Sequence, residues 1–256
     1  MKPLTLWLLF SSAIGPLVQA DRPAILFDLT PFDEHKVPPY PGFTVESWAD
    51  CDRPWILCRC PEAEADMIRI ATNFGRLPPG LRVGVSHMMA VSSKRETGNV
   101  ELPMGINEGG RNVFLKGLID GSIVSHEAFH SFDRGFSDSK TFTDAYNADT
   151  CVATNYANKN VQERFADLGT WVHYDMNGEP VEDWLDKDIG CTKNQLAAVK
   201  EYAQDALDFR TTQCGPRGPD DKFLDPSNRG KGPTNLTVFR GSRENMPLLA
   251  ERPMAK

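Results

Sequence analysis

The stretch GSIVSHEAFHSFD, residues 121–133, constrains this chain more than any other. It sets His126, Glu127 and His130 among apolar neighbours, with Ile123 and Val124 before them, Ala128 and Phe129 between, and Phe132 after. A helix places residues four apart on one face, so His126 and His130 can reach one Zn²⁺ at about 2.0–2.1 Å. Glu127 then points at the open coordination position, where it can take a proton from water and pass it to a leaving amine. A buried carboxylate without a partner is costly, so Glu127 needs a reason to be here. Two incidental histidines are the rival reading, and a third protein ligand separates the two.

The position six residues beyond His130 is Phe136, not a third histidine, and the position three beyond is Asp133, not glycine. Asp133 is one candidate ligand, although it stands where a helix end is expected. His173, beside Tyr174 and Asp175, is another. The strongest lies in NVQERFADLGTW, residues 160–171, where Glu163 and Asp167 sit four apart on one expected helix. Glu163 would complete a His₂Glu set, and Asp167 would hydrogen-bond a ligand histidine and fix its tautomer. A solvated acidic pair flanking Arg164 is the plain alternative.

The opening MKPLTLWLLFSSAIGPLVQA reads as a secretory leader: Lys2, an apolar run from Leu4 to Ile14, and small residues up to Ala20. That run is too short for a membrane span, and no later segment approaches one. A soluble, secreted chain beginning near Asp21 is expected. Losing Lys2 moves the formal charge from −7 to −8, which disfavours nucleic acid and anionic membranes as general partners. In an exported chain the even count of 6 cysteines (Cys51, Cys58, Cys60, Cys151, Cys191 and Cys214) predicts three disulfides, with Cys58 and Cys60 not paired to each other. Asn235-Leu236-Thr237 is a glycosylation sequon, consistent with export.

Between the leader and Cys214 the pattern is one α+β domain, 21–214, followed by a Pro- and Gly-rich tail, 215–256, expected to be mobile. The stretch 30–43 reads as a Pro-rich, extended lead-in. PEAEADMIRIATNFGRL, residues 61–77, predicts a helix with Pro61 in its first turn. LRVGVSHMMAV (81–91) and RNVFLKG (111–117) predict strands, with an irregular loop or hairpin between them. Helices are predicted near 121–133, 139–149, 160–175 and 193–210.

H-E-x-x-H followed by Glu163-x-x-x-Asp167 on a later helix resembles the gluzincin zinc peptidases, which include thermolysin. NYANKNVQERFAD, residues 155–167, is more similar still to the catalytic domain of anthrax lethal factor, which has a tyrosine seven residues before its glutamate ligand. The resemblance covers residues 112–175. The six cysteines and the shorter spacer from His130 to Glu163 depart from it. It implies a zincin-like fold, a small mixed sheet beside an active-site helix, with residues 112–117 as the edge strand that pairs with substrate. It also implies that His126, His130 and Glu163 hold one zinc, Glu127 is the general base, Asp167 orients a histidine, and Tyr156 supports the oxyanion. The expected function is a secreted zinc endopeptidase acting on peptide or protein substrates, with a monomer as the default state. The alternatives are a zinc-binding effector module without turnover and a disulfide scaffold whose histidines are incidental.

Overall fold

The computed structural model describes residues 22–26, 55–60, 62–93, 104–178, 180–185, 187–208 and 237–240. The expected leader, the Pro-rich stretch 30–43, Cys51, Cys214, Asn235 and all of the expected tail except 237–240 lie outside them. The architecture is α+β, with a small mixed five-stranded sheet ordered β4 (Gly105–Glu108), β5 (Asn112–Lys116), β3 (His87–Val91), β2 (Ile56–Arg59) and β7 (Thr237–Arg240). The three central strands run parallel, with Leu57 opposite Met88 and Met88 opposite Val113, and both edges are antiparallel. Met88, Ala90, Val113 and Leu115 are buried, as the two-residue period of a strand predicts for one face. A separate parallel pair joins β1 (Ala24–Leu26) to β6 (Val152–Thr154).

Several expectations are corrected here. The first helix, α1 (Met67–Gly75), begins six residues after Pro61, because Asp66 accepts a hydrogen bond from the Arg69 backbone N at 2.7 Å and caps it there. The front of the expected strand 81–91 is a helical turn, α2 (Pro79–Arg82), which Pro79 opens, and only His87–Val91 is extended. Strand β5 is interior, flanked by β3 and β4, so it is not the free edge; among the described residues β4 is. Within the expected tail, Thr237–Arg240 is a sheet strand paired to β2.

The two site-bearing helices carry strong start signals. Helix α3 (Gly121–Phe132) opens at Asp120, whose carboxylate accepts from the N–H groups of Ser122 at 2.9 Å and Ile123 at 3.0 Å. Helix α5 (Val161–Asn177) opens at Asn160, whose Oδ1 accepts from Glu163 N at 2.8 Å. They pack face to face through Phe129 and Phe165, with ring centroids 5.7 Å apart. Gly169 makes that closeness possible, since a Cβ there would lie 2.3 Å from Phe129 Cδ1. Helices α4 (Lys140–Ala148), α6 (Val181–Leu185) and α7 (Lys193–Leu207) complete the described helical part. Asp149 caps α7 by accepting from the N–H groups of Asn194 and Gln195, and Cys151–Cys191 ties the same corner covalently.

Full pairing of the cysteines is not met. Cys151 and Cys191 are bonded, but Cys58 and Cys60 are buried thiols. An extended chain holds residues two apart at about 6.6–6.8 Å, the outer limit for a bridge between them. Burial, reinforced by the neighbouring Cys60, pushes the Cys58 thiol up to about 11, so it is unreactive near neutrality. Alkylation after denaturation without reductant should therefore label Cys58 and Cys60 while leaving the 151–191 bridge intact. A bridge from either residue found in the mass spectrum refutes this.

Candidate metal centre

Three side chains from two helices converge between α3 and α5. His126 Nε2 and His130 Nε2 lie 3.1 Å apart, and Glu163 Oε2 lies 3.1 Å from the first and 3.0 Å from the second. A tetrahedral ion with bonds of about 2.0–2.1 Å holds its donors about 3.3–3.4 Å apart. The observed triangle is slightly tighter than that and points all three lone-pair atoms at one spot. His126, His130 and Glu163 thus form a group able to hold a metal ion, the single such group among the described residues.

The supporting groups sit where metal ligands need them. His126 is 4% exposed and Asp167 is fully buried, and Nδ1 of the histidine meets Oδ1 of the aspartate at 2.9 Å. Thr154 Oγ1 donates to the other Asp167 oxygen, which fixes the carboxylate in turn. Tyr156 OH donates to Glu163 Oε1 at 3.2 Å and receives a hydrogen bond from Lys159 Nζ at 3.1 Å. Each sequence-derived residue is therefore in one place: His126, Glu127, His130, Tyr156, Glu163 and Asp167. The rival ligands are elsewhere. Asp133 turns away to accept from Ser137 N and Oγ, both at 2.7 Å. His173 Nδ1 meets Ser125 Oγ at 3.0 Å in the core, where burial lowers its imidazole to about 3 and keeps it neutral.

The electrostatics call for a cation. Burial alone would raise Glu163, but hydrogen bonds and charge from both histidines hold its carboxyl well below the usual carboxylate range. Burial alone would lower His126, but hydrogen bonds to Asp167 and Glu163, with the charges of Asp167 and Glu127, raise it to about 10. Three carboxylates around two imidazoles thus compete for positive charge, and either protons or a divalent ion can supply it. Glu127 itself is raised by burial, against the pull of His126 and His130, and its Oε2 has no hydrogen-bond partner. An orphaned carboxylate oxygen beside such a triangle fits a site built to hold a metal and a water.

Four contributors escaped the sequence reading. Thr154 and Lys159 act through partners that only the fold brings near, and Lys159 stands ahead of the cap of α5, with its Nζ 3.9 Å from Glu163 Oε1. Gly105 and Asn107 come from β4. A Cβ on Gly105 would lie 2.2 Å from Glu127 Oε1, so the edge strand rests directly on the glutamate. Asn107 Nδ2 donates to Glu127 O and Ser131 Oγ, both at 2.6 Å, which pins β4 against α3. Gly105→Ala should displace the Glu127 carboxylate while sparing the metal. A crystal structure of the variant with Glu127 unmoved, or a metal content halved, contradicts that assignment.

A family model described as "Conidiation-specific protein Con-13" matches residues 26–217, about three quarters of the chain and every residue of the site. The chain belongs to the Con-13 family. That Con-13 description speaks of conidiation and names no reaction. No curated protein and no solved structure matches this Con-13 family member. Among the described residues no helix is long and apolar enough to cross a membrane.

Proposed function

We propose that this Con-13 family member is a zinc-dependent endopeptidase, exported from the cell and built on a gluzincin-like site. The convergence of His126 Nε2, His130 Nε2 and Glu163 Oε2 to within 3.1 Å of one another, with Glu127 alongside, carries the proposal. Two imidazoles and one carboxylate are the donor set of catalytic rather than structural zinc, because they leave a fourth position open. Zinc, when bound, supplies Lewis-acid polarisation of the attacking water and of the scissile carbonyl.

The chain's own groups carry the rest. Glu127 accepts a proton from the attacking water as the C–O bond forms, then delivers it to the amide nitrogen as the C–N bond breaks. Burial that disfavours its ionised form brings its affinity for the proton closer to that task. Tyr156 is kept protonated because burial raises its hydroxyl, so its O–H can turn from Glu163 to the developing oxyanion. Asp167 and Thr154 hold His126 in one tautomer. Strand β4, the edge among the described residues, rather than β5, is where an extended peptide can add as a strand beside Glu127.

The test is cleavage of a mixed peptide library by the purified protein before and after dialysis against a chelator. Activity should vanish with the metal and return with zinc, and Tyr156→Phe should lower kcat about 10²–10³-fold, the usual cost of one oxyanion donor, with zinc content unchanged. Cleavage that survives complete metal removal would sink the proposal.

A further inference from the structure

Strand β6 and the short turn after it carry Thr154, Tyr156 and Lys159, yet the only strand paired with β6 among the described residues is β1, about 130 positions earlier in sequence. The register sets Ala24 opposite Val152 and Leu26 opposite Thr154, and Val152 N donates to Pro23 O at 3.0 Å. Just ahead of β1, Arg22 is held at both ends. Its main-chain N donates to Asn158 Oδ1 at 3.1 Å, and its main-chain O accepts from Asn158 Nδ2 at 2.9 Å. Its guanidinium donates to the carbonyls of Tyr146 and Asp149 and lies 3.6 Å from the Tyr146 ring centroid. Arg164, the residue after Glu163, stacks on the same ring at 3.6 Å.

Tyr156 therefore sits two residues before a side chain, Asn158, whose amide is committed on both sides to the Arg22 backbone. The metal ligands themselves stand on α3 and α5, two long helices with their own caps, and the strapped segment reaches them only indirectly, through Thr154 and Asp167. We propose that Arg22–Leu26 is a strap that positions the 152–158 segment, so that seating Arg22 aligns the Tyr156 hydroxyl while supplying no ligand to the metal. Arg22 is a positioning residue. A leader ending at Ala20 leaves it one residue inside the mature terminus, so trimming two residues from that end removes the anchor. Trimming thereby gives the site a means of losing turnover while keeping its metal.

The inference rests on the peptidase reading for its kinetic arm alone. Hydrogen exchange of segment 150–160 should accelerate at least tenfold in Arg22→Ala, with α3 and α5 unchanged and about one metal per chain retained. Cleavage should show kcat falling to the level of Tyr156→Phe with KM unaltered, and the double variant Arg22→Ala/Tyr156→Phe should lose nothing further, since residues acting through one another are not additive. Asn158→Ala should reproduce the exchange result if Arg22→Ala does not fold, and Arg22→Lys should recover part of it. Unchanged exchange in 150–160, or losses from Arg22→Ala and Tyr156→Phe that multiply, overturns the strap. If the wild-type protein cleaves nothing, the peptidase reading fails, and the exchange arm still decides whether the strap orders Tyr156.

Discussion

Glu127→Gln is expected to keep its zinc and its fold and to lose peptide cleavage by several orders of magnitude. The glutamate is 5% exposed, its Oε2 is buried without a hydrogen-bond partner, and it stands against the backbone of β4. Glutamine matches its volume, so the packing against Gly105 survives, but an amide cannot accept the proton of an attacking water. General acid–base assistance is commonly worth about 10²–10⁴ in rate. In the proposed reaction Glu127 serves twice, in water activation and in protonation of the amine, which is why a larger loss is expected than one transfer implies. The measurement is kcat/KM on a peptide selected from the library, with zinc content and thermal midpoint recorded on the same samples. Equal cleavage by wild type and variant means the activity belongs to another site or another protein. Zinc in both with cleavage in neither makes a metal-binding module without turnover the better account.

Local signals reached the site helices because capping and ligand spacing are local. Asp120 and Asn160 announce α3 and α5, and the four-residue steps from His126 to His130 and from Glu163 to Asp167 need only helical periodicity. Which residue would be the third donor was not closed by the sequence: Glu163 was the strongest candidate, but Asp133 and His173 also carry donor atoms able to bind a metal. Packing decides it: Phe129 against Phe165 over Gly169 brings Glu163, and not His173, level with the histidines. The strands were harder. Residues 105–108 alternate half-buried and exposed in a glycine-rich stretch, and their strand character comes from pairing with β5. Strands β1 and β7 are short segments whose partners lie far along the chain, which no window of sequence can supply. The same holds for Gly105, whose meaning appears only when Glu127 is placed beneath it.

Removing a ligand should act on the metal and on the fold together. In His126→Ala the metal site loses one of its three candidate donors, and Asp167, fully buried, loses the imidazole 2.9 Å away. Breaking a buried pair by deleting one partner typically costs about 3–5 kcal/mol, a large share of the roughly 5–15 kcal/mol that stabilises an ordinary domain. His126→Ala should therefore bind no stoichiometric metal and melt well below wild type, even when both are compared in chelator. Glu163→Ala should also empty the site, yet melt closer to apo wild type, because it removes one of the competing carboxylates and leaves His126 paired with Asp167. Asp167→Ala should lower metal affinity about 10–100-fold, the usual consequence of losing a group that orients a ligand histidine. Asp133→Ala and His173→Ala should each retain about one metal per chain, whatever they do to stability, because Asp133 is spent on Ser137 and His173 on Ser125. Metal analysis and thermal melts across these five variants separate the cases. Loss of metal in His173→Ala with retention in Glu163→Ala would require a different third ligand and would end the comparison with gluzincins.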